Sequence, residues 1–312
     1  MKYLISSLLI FILLIGCTQE DKTLKGVSLS PRTSGDEDFL GFFEKSKQTG
    51  NMVMWAGDWN ELPDGAPKVV TELSSTYGYT PIIEVTYYSQ GDGQLIRPFN
   101  ETIKELYKNK AIEFAEKYKP KYLGLGIEVN IMYEKSPDDF EDFVIFYDEV
   151  YDTVKEVSPN TKVFTVFQLE KMKGLTFWSD GTLNSSKAQW FLLDRFDSDL
   201  AVFSTYPGLV YKDPSEIPAD YYTEITLHTD KPIAFTEMGW HSAASPQGWE
   251  SSEEEQAEFI TTFFNLTKDL NKEIIIWSFM YDPDTIEPFN SMGLRNSDGT
   301  AKSAWNVWIT AE

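Results

Sequence analysis

Eight short apolar runs recur along the chain, and longer amphipathic stretches separate them. Each run is rich in Val, Ile, Phe and Thr, a composition typical of strands that are buried on both faces. The runs occupy residues 25–30, 51–59, 80–88, 121–130, 161–170, 199–207, 231–240 and 272–282. Because successive parallel strands need a crossover of a dozen or more residues, this spacing strongly limits the folds that the chain can adopt.

The stretches between the runs carry helical patterns. Over residues 136–159, Ser136 precedes Pro137 at a favoured helix start, and apolar residues then recur every three or four positions. A capping box from Ser252 to Glu255 opens the pattern over 251–270. Further helices are predicted over residues 36–50, 62–78, 100–119, 185–196 and 303–308.

The alternation of strands and helices predicts an α/β fold, a single-domain (β/α)8 TIM barrel over residues 25–312. A doubly wound sheet is the alternative, but it would need a glycine-rich phosphate turn after an early strand. The stretch "GVSLSPRTSG" does not supply that turn. A hydrophobic content of 42% is sufficient for the large core of one barrel-sized domain.

The N-terminus has the pattern of a secretory signal peptide. In "MKYLISSLLIFILLIGC", Lys2 precedes an apolar run that ends at Ile15. The closing "LIGC" resembles the lipobox of prokaryotic lipoproteins. That resemblance implies cleavage before Cys17, lipid attachment to its sulfur, a tether over 18–24 and anchoring to the outer face of the cell membrane. An uncleaved membrane anchor is the alternative, and with a single cysteine no disulfide is expected.

The formal charge of -22 limits the possible partners. Such an acidic chain is not expected to bind nucleic acid or an anionic membrane surface through electrostatics. We expect a monomer whose membrane contact is made through the lipid on Cys17.

The candidate chemistry comes from the carboxyl ends of the strands, where barrels of this type carry their functional residues. These ends are rich in carboxylates and aromatic residues, whereas the chain has only two histidines and one cysteine. A histidine-based metal centre and a cysteine nucleophile therefore have no support, and no G-x-S-x-G motif is present. Paired carboxylates remain, and their commonest use is glycoside hydrolysis, which needs no cofactor.

Glu128 and Glu237 are the candidate pair, near the ends of the fourth and seventh runs. In "GLGIEVN", strict alternation would direct Gly124, Gly126, Glu128 and Asn130 toward the barrel axis. Glu237 would need a bulge at Thr236 or at Glu237 itself to point inward.

The motifs "GLGIEVN" and "PIAFTEMGW" resemble the two catalytic strands of the clan A glycoside hydrolases, retaining enzymes built on (β/α)8 barrels. The resemblance implies that Glu128 is the acid/base and Glu237 the nucleophile in cleavage of a β-linked carbohydrate. It also implies that Tyr206 hydrogen-bonds the nucleophile, that Trp277 lines the site, and that Arg32 lies near it. The substrate-binding candidates are Asn130, Tyr206, Trp240, Trp277, Arg32, Trp55 and Tyr87.

One position departs from that family pattern. Ile127 precedes Glu128, where most of the clan has Asn. A surface lipoprotein that binds carbohydrate on the same barrel without cleaving it therefore remains an alternative. A structural or adhesion protein is a third alternative, and it predicts no cleft and no clustering of Trp240, Trp277 and Tyr206 around the two glutamates.

Overall fold

The structure, a computed structural model, describes residues 23–311. The predicted signal peptide, Cys17 and most of the tether lie outside the described residues. No helix within 23–311 has the length and apolar character needed to cross a membrane.

Nine parallel strands form one sheet within the described residues, in the order β5-β4-β3-β2-β1-β9-β8-β7-β6. They are β1 Leu24–Ser28, β2 Met52–Asp58, β3 Thr80–Thr86, β4 Tyr122–Gly124, β5 Lys162–Phe164, β6 Val166–Gln168, β7 Ala201–Thr205, β8 Ile233–Met238 and β9 Lys272–Trp277. All eight predicted runs therefore contain strand.

The sheet closes through the fifth run. Only Thr165 separates β5, which pairs with β4, from β6, which pairs with β7. On either side of this kink Leu125 donates its amide to Phe164 and Val166 donates to Gly126, each at 2.9 Å. β5 and β6 thus act as one barrel strand, and the predicted (β/α)8 barrel is confirmed.

Helices surround the barrel, and six of the seven ranges predicted to be helical contain one. They are α1 Asp36–Ser46, α2 Ala66–Tyr77, α3 Glu101–Tyr118, α4 Val129–Lys135, α5 Pro137–Val157, α6 Leu169–Met172, α7 Glu253–Thr267 and α8 Ser303–Thr310. The predicted cap at Ser252 forms, since its hydroxyl accepts from the Glu255 amide at 3.2 Å.

The helix predicted over 185–196 is wrong. The segment forms two 3-10 turns instead, Ser185–Lys187 and Trp190–Arg195. Asn184 accepts from both the amide and the hydroxyl of Ser186, which holds the backbone in a local turn that competes with a helix.

The interior of the barrel is packed with side chains. Alternate residues of the strands form this inner cluster: Met52, Met54, Ile82, Tyr122, Phe164, Val166, Leu200, Val202, Ala234, Ile274 and Ile276. A larger cluster fills the space between the sheet and the helices. The inner cluster fills the barrel interior with apolar side chains. Polar groups of the interior therefore lie at the carboxyl ends of the strands.

Candidate active site

Glu237 lies on β8 at a bulge that turns its side chain inward. The register with β7 pairs Phe203 with Phe235 and then Ser204 with Glu237, so Thr236 is the extra residue. This confirms the bulge expected from the sequence, because the additional residue reverses the face parity of everything after it. The Glu237 side chain remains partly exposed.

Tyr206 holds the Glu237 carboxylate. It follows β7, and its phenol donates to Glu237 Oε2 at 2.9 Å, the hydrogen bond that the family resemblance implied. Tyr206 Oη also lies 2.8 Å from Ser278 Oγ, just beyond β9. The carboxylate therefore meets a donor that is fixed from a neighbouring strand.

Glu128 reaches the same end of the barrel by a different route from the predicted one. β4 ends at Gly124, and a Cβ on Gly126 would point at Phe143 of α5, outside the barrel. Glu128 has φ 53°, in the left-handed region, and directly precedes α4. The inward direction of its side chain comes from this turn, so the expected alternation from Gly124 to Glu128 is wrong beyond Gly124.

Three polar groups fix Glu128. The Tyr88 hydroxyl contacts two successive carbonyls, Ile127 O at 2.8 Å and Glu128 O at 2.5 Å. Glu128 Oε1 accepts from Ser204 Oγ at 2.6 Å and from Gln168 Nε2 at 3.2 Å. A non-glycine residue with positive φ costs backbone energy, and these contacts offset that cost.

Ser204 is a neighbour of both candidate residues. It pairs with Glu237 in the register between β7 and β8, and its hydroxyl donates to Glu128. Glu128 is only 6% exposed, whereas Glu237 is partly exposed and is bound to Tyr206. The two candidates therefore meet at one end of the barrel.

Burial raises the pKa of both carboxyl groups. Burial, and then the charge of Glu128, raise the pKa of Glu237 to about 7, while the Tyr206 hydrogen bond opposes the shift. Burial also raises the pKa of Glu128, against the hydrogen bonds from Ser204 and Gln168 and the charge of Lys171. A coupled buried pair of this kind favours one protonated and one ionised carboxyl, the state that acid/nucleophile chemistry requires.

A third carboxyl, Glu84, lies on β3 inside the barrel. It is fully buried, and a Cβ on Gly124 of β4 would come within 3.0 Å of its Cγ. Burial, and then the charge of Glu237, raise its pKa to about 8. The sequence analysis did not select it, because a single Glu in mid-strand has no motif to mark it.

A fourth buried carboxyl, Glu170, binds residues at and after the end of β7. Its Oε1 accepts from Thr205 Oγ1, the Tyr206 amide and Tyr221 Oη, each at 2.9 Å. These bonds fix the end of β7 and hence the position of Tyr206.

Four aromatic residues predicted to bind substrate are core residues instead. Trp240 and Trp277 are fully buried, Tyr87 is 1% exposed and Trp55 is 7% exposed. The Trp240 indole donates to Glu255, the Trp277 indole donates to the Met292 carbonyl, and Tyr87 stacks on Phe143. Those predictions are wrong, because these rings pack on the helix side of the sheet.

Two polar predictions also need correction. Asn130 is fully buried and binds the backbone of Gln168 through both ends of its amide, at 2.9 and 3.0 Å. It therefore positions a neighbour of Glu128 and does not face the mouth. Arg32 is exposed and contacts Asp38 and the Asp298 carbonyl.

Partly buried aromatic rings around Tyr206 were missed by the sequence analysis. They pack on the cluster of Tyr206, Leu209 and Met292, and they are Phe177, Trp178, Phe279 and Phe289. Tyr206 and Phe289 meet edge to face, with ring centroids 5.2 Å apart. These residues lie in loops, where strand periodicity provides no signal.

A cavity of about 260 Å³ adjoins the pair through Gln168, which lines it together with Lys171, Phe177 and Lys187. A larger cavity of about 870 Å³ lies near the start of β1 and the end of α8, and neither candidate glutamate lines it. Within residues 23–311, no group of three or more His, Cys, Asp or Glu side chains is arranged to hold a metal ion.

No protein-family model matches the chain, and no curated protein matches it in sequence. Solved structures do match. An exo-β-1,4-mannosidase from Opitutaceae bacterium strain TAV5 superposes with a TM-score of 0.63 at 12% identity over 92% of this chain and 58% of that one. A family 39 glycoside hydrolase from the gut symbiont Bacteroides cellulosilyticus WH2 gives 0.66 at 17% identity, over 94% and 64%.

A third similar structure is a GH5_18 variant from Streptomyces cattleya in complex with Manb1-4GlcNAc. It gives a TM-score of 0.67 at 12% identity, over 93% of this chain and 80% of that one. The chain spans less than two thirds of the length of the first two proteins. At these identities the likeness concerns the fold, and the chain shares the (β/α)8 barrel fold of these glycoside hydrolases.

Proposed function

We propose that the protein is a retaining glycoside hydrolase that cleaves a β-linked poly- or oligosaccharide. The observation that carries this proposal is the meeting of Glu128 and Glu237, which Ser204 links through one side-chain hydrogen bond and one strand register pair. Similarity to glycoside hydrolase barrels supports it at the level of the fold.

Glu237 acts as the nucleophile in this proposal. Tyr206 donates to its carboxylate, which favours the ionised form that attacks. Its carboxylate attacks the anomeric carbon, the bond to the leaving oxygen breaks, and a covalent glycosyl-enzyme forms.

Glu128 acts as the acid/base. Burial raises the pKa of its carboxyl, which favours the protonated form, and in this proposal that proton passes to the leaving oxygen. The resulting carboxylate then takes a proton from the water that attacks the anomeric carbon and releases Glu237. Retention by this route requires the two carboxyl groups to lie about 5 to 5.5 Å apart.

The aromatic residues near Tyr206 are the candidate sugar platforms. Phe177, Trp178, Phe279 and Phe289 are partly buried around Tyr206. Their exposed faces can stack on the C–H surfaces of a sugar ring, which replaces the role first expected of Trp240 and Trp277.

β-Mannosides are the first substrates to test. One similar structure is named an exo-β-1,4-mannosidase, and another was solved with Manb1-4GlcNAc bound. The experiment is to incubate the purified chain with β-mannan, β-galactan, β-glucan and xylan and to measure released reducing ends. A Glu128→Gln, Glu237→Gln double variant is the control, and equal release by both proteins would refute the proposal.

Binding without cleavage is the second candidate, and the Ile127 that precedes Glu128 favours it. A binder would show sugar affinity by calorimetry, without release of reducing ends by the unmodified protein.

The N-terminal pattern supports attachment to the outer face of the cell membrane through a lipid on Cys17. Expression of the full chain with Cys17→Ser in a bacterium tests this. The variant should leave the membrane fraction, whereas unchanged membrane association would contradict lipid attachment at this residue.

A further inference from the structure

Glu84 is a buried carboxyl that the two-glutamate mechanism does not use. It is fully buried on β3, level with Ala56 of β2 and Gly124 of β4. Neither of its carboxyl oxygens has a hydrogen-bond partner among residues 23–311. An ionised carboxylate in such a place carries a large desolvation penalty, so the neutral acid is favoured.

Thr236, the extra residue of the β8 bulge, has a side chain that acts on Glu84. Thr236 is fully buried, and its Oγ1 also lacks a hydrogen-bond partner in the described part of the chain. Its hydroxyl influences Glu84, since it opposes the rise in the pKa of that carboxyl. Two polar groups without partners thus lie together beneath the bulge that directs Glu237.

The charged groups that act on Glu84 are the two candidate catalytic residues. Glu237 on β8 and Glu128 after β4 both raise its pKa, after the larger effect of burial. The flanking strand positions are Ala56 and Gly124, which carry no charge.

We propose that Glu84 is a positioning residue of the active site: as a neutral acid it supports the Thr236 bulge from below and leaves Glu237 as the ionised member of the group. This inference rests on the proposed glycoside hydrolase function. It adds a third carboxyl to the site, one that acts through Glu237 and does not touch the sugar.

The neutral state matters because three carboxyl groups share a small, poorly solvated space. A negative charge on Glu84 would oppose ionisation of Glu237, since like charges within a low-dielectric site disfavour each other. Protonated Glu84 removes that repulsion and also provides an O–H donor. The Thr236 hydroxyl acts on the Glu84 carboxyl, and Thr236 is joined directly to Glu237 in the chain.

The first test measures thermal stability against pH, which requires no enzyme activity. In the folded protein the pKa of Glu84 is about 8, above its ordinary 4.5, so its stabilising contribution is full below pH 4.5 and is lost as pH rises toward 8. Glu84→Gln cannot ionise and keeps the shape. Between pH 4.5 and 8 the Tm of the unmodified chain should fall by at least about 3 °C more than that of the variant. Parallel curves would overturn the proposal.

The second test measures kcat/KM against pH on the substrate found in the polysaccharide screen. Ionisation of Glu84 should contribute a loss of activity near pH 8, and Glu84→Gln should move that alkaline limb upward. Asp148→Asn is the matched control, because Asp148 on α5 also has a raised pKa but lies on the outer helix layer. An alkaline limb that is unchanged in Glu84→Gln would overturn the proposal.

Thr236→Val tests the positioning role without changing any charge. It removes the hydroxyl and keeps the branched shape, so a purely structural Thr236 predicts unchanged kinetics. If Glu84 acts through the bulge, kcat should fall by roughly 10- to 100-fold while KM changes little. Unchanged kcat would contradict this route.

The Tm measurement and the activity measurement together distinguish failure of the proposed Glu84 role from failure of the proposed glycosidase function. A chain without glycosidase activity that still shows the Glu84-dependent Tm change retains a neutral buried acid but loses the proposed function. An active glycosidase with parallel Tm curves keeps the proposed function and loses the role of Glu84.

Discussion

Tyr206 donates its phenolic hydrogen to Glu237 Oε2 at 2.9 Å, from a residue just beyond β7 to a carboxylate on β8. This hydrogen bond lowers the pKa of Glu237 against the effects of burial and of the Glu128 charge. The carboxylate proposed as the nucleophile therefore owes part of its ionisation near neutral pH to one hydroxyl.

Tyr206→Phe should move the acidic limb of the kcat/KM profile to higher pH. Glu237 must be ionised to attack, and its pKa of about 7 rises when the donor is removed. A hydrogen bond to a charged group is worth about 1.5 to 3 kcal/mol, so we expect a shift of about one to two pH units. Tyr147→Phe is the control, because that buried hydroxyl has no partner in the described chain. A limb that stays in place in Tyr206→Phe would argue against Glu237 as the group that ionises.

Tyr88→Phe should destabilise the turn at Glu128. The hydroxyl contacts the Ile127 and Glu128 carbonyls, where Glu128 has positive φ. Loss of the donor leaves two buried carbonyls without it, at a cost of about 1 to 3 kcal/mol in unfolding free energy. Urea denaturation measures this cost, and kcat should fall as well because the acid/base loses its fixed position. Unchanged stability and kcat together would show that Tyr88 does not hold the turn.

Gly124→Ala should strain the barrel interior beneath the site. The new methyl group would lie 2.9 Å from Phe164 Cε2 and 3.0 Å from Glu84 Cγ. Overpacking of this kind costs about 1 to 3 kcal/mol. Gly41→Ala in α1 is the matched control, because nothing lies within 4 Å of its new methyl group. That change should stabilise the helix by about 0.5 to 1 kcal/mol, and urea midpoints of both variants check the opposite signs.

Glu237→Gln separates catalysis from binding. The amide keeps the shape of the side chain but cannot attack the anomeric carbon, so turnover should fall by more than about 10³-fold. Affinity for the substrate, measured by calorimetry, should stay within the range of the unmodified protein. Asp148→Asn on the outer layer should leave turnover intact. Retained turnover in Glu237→Gln would remove this residue from the mechanism.

The barrel could be predicted because apolar residues repeat with different periods in its strands and in its helices. The eight apolar runs mark the strands, and the caps at Asn100 and Ser252 mark helix starts that the structure contains. Glu237 could be located for the same reason, since the parity of β8 required a bulge before an inward carboxylate. The alternation argument for Glu128 was wrong, because the direction of this side chain depends on a left-handed turn that alternation does not describe.

The substrate-binding residues were harder to predict. Trp277 pairs with Val27 on the helix side of the sheet, whereas Ile274 and Ile276 face the interior. Strict alternation along β9 would have placed Trp277 in the core between the sheet and the helices. The family resemblance instead implied that Trp277 lines the active site. Phe289 and Phe279 lie beyond the strands in connections whose shape depends on tertiary packing.

The most direct test of the two-glutamate mechanism is the anomeric configuration of the first product. Proton NMR of a β-glycan that the protein cleaves, recorded before mutarotation, reports it. Double displacement by Glu237 and Glu128 predicts that the β-anomer appears first and the α-anomer follows at the rate of mutarotation. If the α-anomer appears first, water attacks directly and Glu237 is not a nucleophile.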